Sequence, residues 1–354
     1  MRSHHLTALL LAATACLSSI SCNGEDIPIQ GAGATFPAPL YKRWFLEYYQ
    51  RHPEVRVNYQ PIGSGAGIRQ FSERLVHFGA SDAAMSDEEM AKVKVGVQLL
   101  PMTAGSVAIC YSLPGNPELK LSRQVYVDIF LGKIDNWNHS AIGSLNPGLQ
   151  LPDLPISVVR RADGSGTTFA FTNHLSAISP EWKKGPGVGK SVVWPVGLGA
   201  KGNSGVAALI EQTPGAIGYL EYGYAELTHL PMAKLENKTG TFVVPSVESG
   251  QAALAGAEMP NNLRLWIPDP AGKEAYPIVT YTWLLCYKKY DDPRVWAALK
   301  EVIRYGLTDG QKLSVQLGYI PLPGTVAEHV LQALETIEPK SLNPLAGPRE
   351  VENR

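Results

Sequence analysis

The sequence has no excess of either charge. Its 354 residues carry 31 lysines and arginines against 32 aspartates and glutamates, a net charge of −1. No global field therefore draws the chain to nucleic acid or to an anionic bilayer. Charged residues are scarce altogether, 18% against 45% apolar, which excludes a coiled coil and a disordered chain. There are only four cysteines, and the length excludes a disulfide-stapled mini-protein and favours two lobes. The eight histidines are scattered without metal-ligand spacing, so neither a metal nor a cofactor is expected. Beyond the first two dozen residues no apolar run could cross a bilayer. If the chain binds an anion, local dipoles and a few chosen side chains must do it.

The one long apolar run, Leu6–Leu17, follows Arg2 and has the length of a secretory h-region, short of the about 20 residues of a membrane span. Residues 1–22 read as a signal peptide of an exported, periplasmic or envelope-associated protein. Cys16 and Cys22 each follow a small residue, as in the lipobox of bacterial lipoproteins, although neither has Leu three positions before it. Cys22 is the better lipidation candidate, because the polar stretch Asn23–Asp26 would serve as a tether; cleavage without lipid is the alternative. Cys110 and Cys286 each lie in an apolar, strand-like run. They either pair in an oxidising compartment or pack as small buried hydrophobes, and spacing does not decide. The segment 338–354, polar with three prolines, reads as a loose tail.

Strand and helix signals alternate along the body. Val55, Val57 and Tyr59 alternate with polar residues, and 156–159 reads as a buried strand. Leu40, Trp44 and Tyr48 recur at helical spacing, as do Ile68, Phe71 and Leu75. Such alternation argues α/β architecture with open parallel sheets, whose ligands sit where strand C-ends meet helix N-ends.

Three strand-to-helix loops carry the chemistry. The first, Gly31-Ala-Gly-Ala-Thr-Phe-Pro-Ala-Pro39, combines glycines that allow close backbone approach with prolines suited to a helix's first turn. Free N–H groups and the positive end of the helix dipole there make an anion seat, and Thr35 adds a hydroxyl. Taken alone, a turn of this kind is more often structural. The second, Gly63-Ser-Gly-Ala-Gly67, places Ser64 at a helix start, either as a ligand or as an N-cap. The third, Arg160-Arg-Ala-Asp-Gly-Ser-Gly-Thr-Thr168, puts a guanidinium, a carboxylate and three hydroxyls within nine residues. Arg161 offers parallel donors to a tetrahedral oxyanion, Asp163 can hold that side chain, and Ser165, Gly166 and Thr167 offer further donors. Asp82, at the end of another strand, is repulsive near an anion unless the ligand brings a proton. Hydrogen phosphate does and sulfate does not, so facing sulfate Asp82 would be a buried acceptor without a donor. The plain alternative is a solvated loop aspartate or a helix cap.

Taken with Gly79-Ala-Ser-Asp82, Leu131-Gly-Lys-Ile134, Trp194-Pro-Val-Gly-Leu-Gly-Ala-Lys-Gly202 and Pro214-Gly-Ala-Ile-Gly-Tyr219, the first and third loops resemble the periplasmic phosphate-binding proteins of bacterial high-affinity phosphate import. The likeness runs from about Ile29 to Leu322. It implies a type II periplasmic-binding-protein fold, two α/β lobes hinged by crossing strands: lobe I from 27–108 and 282–337, lobe II from 109–281. It also implies one bound phosphate, delivery to an ABC permease, and no enzymatic activity. The contacts would fall on Ala34 and Phe36 through their backbone, and on Thr35, Ser64, Asp82, Arg161, Ser165, Gly166 and Thr167, with Asp163 as the partner of Arg161. A monomer is expected, touching the membrane only through an N-terminal lipid.

Rival readings are fewer. Gly197-Leu-Gly-Ala-Lys-Gly202 matches a dinucleotide-binding pattern with Glu221 as the ribose acid, but Trp194-Pro195 interrupts the preceding run. Gly185-Pro-Gly-Val-Gly-Lys-Ser191 is one residue short of a P-loop. A secreted phosphatase would need a nucleophile with a base, or paired metals, and His174 reads as a packing or surface residue instead of a ligand. A phosphate sensor sharing the fold stays open.

Overall fold

The computed structural model describes residues 26–339. The expected signal peptide, the lipidation candidate Cys22 and the expected tail beyond Pro339 lie outside them. Within the described residues no helix is long and apolar enough to cross a membrane, and no group of His, Cys, Asp and Glu could hold a metal ion.

Eight strands form one sheet. They are β1 (Ile27–Gly33), β2 (Val55–Pro61), β3 (Phe78–Ser81), β4 (Val97–Tyr111), β5 (Ser157–Arg161), β6 (Leu198–Ala200), β7 (Ala216–Glu221) and β8 (Val279–Tyr287). Their order is β2-β1-β3-β8-β4-β7-β5-β6. At one end β2, β1 and β3 are parallel; at the other β7, β5 and β6 are parallel. The expected open parallel sheets are therefore both present. Between them lies an antiparallel centre, because β4 leaves one lobe and β8 returns to it.

β4 is the shared element. Residues 97–106 pair with β8, and Val107–Tyr111 pair with β7. The strand thus changes its pairing partner between Ser106 and Val107, and the returning chain is tied there by Val107 N–H donating to the Ile278 carbonyl (2.9 Å). Nearly all of β4 is buried and apolar, as a strand covered on both faces must be.

Helices α1 (Ala38–Arg51), α2 (Ser64–Ser72) and the short α3 (Asp87–Ala91) belong to the first lobe. α4 (Gly166–Ile178), α5 (Gly202–Gln212) and α6 (Tyr222–Leu227) belong to the second. In α1 the four-residue spacing buries Leu40, Trp44 and Tyr48 with Tyr41 beside them, each contributing about 1.5–3 kcal/mol by leaving water. Leu75 departs from expectation. Helix α2 ends at Ser72, Arg74 turns the backbone to φ +59°, and Leu75 is left 65% exposed. A second, smaller core of Val206, Ala207 and Ile210 on α5 packs on Cys110, Val159 and Leu220.

The two inner cysteines are free and buried. Cys110 lies on β4, while Cys286 is opposite Gln98 of that same strand. At about 3.3 Å per residue these positions are roughly 40 Å apart along the strand, far beyond the about 7 Å that a disulfide spans. Of the segment expected as a tail, Glu338 and Pro339 pair with Lys289 and Tyr290.

Candidate functional site

The three loops and Asp82 converge between the lobes. Loop one leaves β1 at Gly33, whose φ of +152° and whose approach to the Ala80 carbonyl, 2.0 Å from where a Cβ would stand, admit only glycine. Three tyrosine hydroxyls then take the loop's carbonyls. Tyr59 donates to Ala34 O (2.6 Å), Tyr224 to Thr35 O (2.8 Å) and Tyr319 to Phe36 O (2.6 Å). In a trans peptide the C=O and the following N–H point in opposite directions. Holding the carbonyls of Ala34 and Thr35 therefore aims the N–H groups of Thr35 and Phe36 the other way, and among the described residues neither amide has an acceptor. Ala34 departs from expectation: its own N–H donates to the Ala80 carbonyl (2.9 Å), so it orients Thr35 rather than offering a donor.

Ser64 opens α2 without capping it. Its Oγ instead accepts two N–H groups, from Asp82 (3.3 Å) in its own lobe and from Gly166 (3.1 Å) in the other. The N-cap role falls to Ser165, whose Oγ accepts from Thr168 N–H (3.1 Å). Gly166 differs from expectation as well, since its N–H is committed to Ser64. Its lack of a side chain is needed instead, because a Cβ there would stand 2.6 Å from Asp82 Cβ.

Arg161 ends β5 and is 3% exposed. Nε donates to Asp163 Oδ1 (2.8 Å), Nη2 donates to Asp163 Oδ2, and Nη1 donates to Thr167 Oγ1 (3.3 Å). Three of five guanidinium protons are thus used and two are left. Asp163 also accepts from Gly202 N–H (3.0 Å). Although burial pushes the Asp163 carboxyl upward, the hydrogen-bonded Arg161 guanidinium holds it below the ordinary range. The pair is a fixed charge-assisted fork, not a mobile surface contact.

The hydroxyls share one property. Thr35 Oγ1 accepts from Asn203 twice, from its N–H (3.2 Å) and its Nδ2 (3.0 Å). Ser64 Oγ accepts the two amides named above. Thr167 Oγ1 accepts from Arg161 and, at 3.5 Å, from Asn203 Nδ2. A hydroxyl has two acceptor sites and one proton. With both acceptor sites taken, Thr35, Ser64 and Thr167 can only donate.

Asp82 is the acceptor among them. It is 1% exposed, which excludes the solvated-loop reading. Burial raises its carboxyl to about 7, against the pull of the Thr282 hydroxyl, Arg161 and the Ser64 hydroxyl. Thr282 Oγ1 donates to Asp82 Oδ1 (2.9 Å) and Thr280 Oγ1 to the Asp82 carbonyl (3.2 Å). The site can therefore surround a small tetrahedral anion with donors while offering one carboxylate oxygen to a proton on that anion.

The lobes touch around this centre. Gly65 N–H donates to the Gly164 carbonyl (2.8 Å). At the rim, Lys190 pairs with Glu89 (2.5 Å) and Arg264 with Asp87 (2.7 Å).

Residues invisible to sequence reasoning complete the site: Asn203, Thr280, Thr282, Tyr224 and Tyr319. The threonines had a signal, two hydroxyls at period two inside an apolar strand. The dinucleotide-binding reading dissolves. Gly197 precedes β6 and Gly202 follows it, so the glycine pattern straddles a strand instead of forming one strand-to-helix turn. Glu221 is fully buried and caps α6 through the N–H groups of Gly223 and Tyr224. His174 packs, its Nδ1 on the Pro268 carbonyl (2.7 Å) and its Nε2 on the Tyr126 hydroxyl (2.8 Å), and burial lowers it to about 4.

The model of the PBP superfamily domain matches residues 17–309. A "Phosphate-binding protein PstS" from Pasteurella multocida is 40% identical over 338 residues, covering 94% of this chain and 96% of its own. Another of that name from Xylella fastidiosa is 39% identical over 312 residues, covering 86% and 84%. The chain belongs to the phosphate-binding protein family. A solved relative, a high-affinity periplasmic phosphate-binding protein (PfluDING) bound with phosphate, superposes with a TM-score of 0.70 at 20% identity, covering 86% of this chain and 92% of its own. At that identity it speaks for the fold alone. The architecture of this phosphate-binding protein family member is the α/β type II periplasmic-binding-protein fold that the sequence resemblance implied, with β4 and β8 as the strands that join its lobes.

Proposed function

We propose that this protein binds inorganic phosphate, as hydrogen phosphate or dihydrogen phosphate, between two closing lobes and delivers it to an ABC permease. Lobe I takes in 27–108 and 282–337, and lobe II 109–281. The observation that carries the reading is the polarity of the site. Thr35, Ser64 and Thr167 can only donate, Arg161 keeps two free protons, and Asp82 alone accepts. Contacts are assigned to Thr35, Phe36, Ser64, Asp82, Arg161, Ser165 and Thr167. Ala34 and Gly166 shape the site, and Asp163 holds Arg161.

Eight or so donors to a charged ligand, at roughly 1.5–3 kcal/mol each, exceed an association cost of roughly 4–15 kcal/mol. Tight binding therefore needs no basic surface, in agreement with a net charge of −1. The names of the relatives support phosphate as cargo. The apolar run Leu6–Leu17 supports export, and a lipid on Cys22 is the finer form of that proposal.

Calorimetric titration of the purified protein against a panel of oxyanions tests the reading. At pH 8, where Asp82 is charged, one phosphate site with no measurable sulfate binding is expected. Comparable affinity for the two anions would overturn it, as would phosphomonoester turnover that survives Arg161→Ala.

A further inference from the structure

Asp82 Oδ1 already accepts a hydrogen bond, and the donor lies on a strand that contributes no predicted contact. In β8, Thr280 and Thr282 point to the same face by the two-residue period of a strand, and both are buried. Both reach Asp82, Thr280 its carbonyl and Thr282 its carboxylate Oδ1. The pairing of β8 with β4 slips by one residue between Thr282 and Trp283, whose partners are Thr103 and Pro101. Irregularities of this kind re-aim a side chain beside functional sites. The other neighbour of β8 is β3, which leads directly into Asp82.

Resting on the phosphate reading above, we infer that Thr282 is a positioning and specificity-determining residue: by donating to Asp82 Oδ1 it holds the carboxylate in one orientation and in its charged form, with Oδ2 turned toward the protonated ligand from which it accepts. Oδ2 lies 2.7 Å from where a Cβ on Gly166 would be, so it faces the start of α4 where the donor groups converge. Without the threonine hydroxyl the buried carboxylate would lose a bond that favours its charged form. It would then take up a proton more readily and turn from acceptor to donor. A carboxylic acid in that place no longer rejects sulfate, which has no proton to give.

The other groups acting on Asp82 are fixed and accounted for. From β5 and the loop after it come Arg161, which favours the charged carboxylate, and Asp163, which opposes it. Tyr41 of α1, Tyr59 of β2, Glu221 and Tyr224 around α6, and Tyr319 also face it electrostatically. Each of these tyrosines is raised by burial above its ordinary value and stays neutral near pH 7, and Glu221, raised likewise, is engaged by two backbone amides. Thr282 and the Ser64 hydroxyl are the uncharged groups that pull on the Asp82 carboxyl, and of the two only Thr282 has no ligand contact assigned to it, so its removal changes the hydrogen bonding of Asp82 without changing charge or deleting a contact.

The test uses Thr282→Val, which keeps the shape and deletes the donor, and Thr282→Ser, which keeps the donor. Carboxyl-carbon NMR follows the titration of Asp82 in ligand-free protein, and calorimetry measures phosphate and sulfate between pH 5 and 9. Thr282→Val is expected to move the Asp82 midpoint upward by about one pH unit. It should weaken phosphate about tenfold at pH 7 and narrow its preference over sulfate, whereas Thr282→Ser stays within about threefold of native. An unmoved midpoint with unchanged selectivity in Thr282→Val overturns the assignment, and so does a serine variant as impaired as the valine. Should Thr282→Val fail to fold, Thr282→Ala supplies the donor-free comparison against serine. A native protein that ignores phosphate would refute the proposed cargo instead, while the ligand-free midpoint still judges Thr282.

Discussion

Thr35 and Asn203 come from different lobes, yet Asn203 spends both its backbone N–H and its Nδ2 on the one hydroxyl oxygen of Thr35. The same Nδ2 reaches Thr167, and Asn203 Oδ1 accepts the Glu221 N–H (3.2 Å). One fully buried amide therefore couples lobe closure to the donor polarity of two hydroxyls. Asn203→Asp replaces that donor with an acceptor, so both hydroxyls would turn inward to satisfy it. Its cost should be on the order of 100-fold in phosphate affinity, while Asn203→Ala loses less. Calorimetry on both variants checks this, and an aspartate variant that binds as well as native would refute the coupling.

Asp82 gives a prediction about stability as well as binding. Its folded-state pKa, about 7, lies above its ordinary 3.8. Between these values the folded protein holds a proton that the unfolded chain has released, so stability falls as pH rises through the window. The neutral carboxyl favours the fold fully below about pH 4, and that contribution is gone above about pH 7. Three pH units correspond to roughly 4 kcal/mol. Asp82→Asn should remove this slope in ligand-free protein and leave it more stable than native at pH 8. The same change should abolish the preference for phosphate over sulfate. Denaturant melts at pH 5 and 8 read the first effect. Parallel slopes in the two proteins would contradict the assignment.

Arg161 is predicted to be the costliest single contact. Arg161→Ala removes two ligand-facing donors and leaves the half-buried Asp163 without its partner. Losing one partner of such a pair costs about 3–5 kcal/mol. Binding should fall by more than three orders of magnitude, beyond what Thr35→Val or Thr167→Val causes. Arg161→Lys should not rescue it, since a lysine cannot make the fork that Asp163 accepts. Titration of the four variants ranks the contacts, and a hydroxyl deletion that outweighs Arg161→Ala would overturn the ranking.

Sequence patterns carried the alternation of strands and helices and the position of each loop, because both depend on local period and on glycine. They could not show the antiparallel centre, since pairing β4 with β8 joins segments about 180 residues apart along the chain. Nor could they show which polar groups satisfy one another. Gly166 was legible as part of a donor loop, but its N–H goes to Ser64 and its real demand is space beside Asp82. Thr282 is, in the sequence, one of two threonines in an otherwise apolar strand. Its meaning appears only when β3 lies beside it.

Lobe closure should depend on the rim pairs more in rate than in affinity. Lys190 and Glu89 are each about a quarter exposed, and Asp87 is largely in solvent, so each pair is worth at most about 1 kcal/mol. Glu89→Gln should speed phosphate release about threefold and reduce the sensitivity of that rate to salt, with no change in melting temperature. Stopped-flow release at low and high ionic strength measures both, and equal salt dependence in native and variant would exclude a role for the pair in holding the lobes shut.

Gly166 separates closure from folding. A Cβ there would stand 2.6 Å from Asp82 Cβ and 2.7 Å from its backbone nitrogen, distances that the well-packed end of β3 cannot yield. The clash lies at the contact between the lobes, so Gly166→Ala should fold with a melting temperature near native in the absence of ligand. The lobes, however, could not approach to the observed contacts, and the bond from Gly166 N–H to Ser64 would not form. Phosphate affinity should drop at least 100-fold, and small-angle scattering should give the same expanded envelope with and without phosphate. A variant that contracts on adding phosphate as native protein does would show that the two lobes meet in some other way.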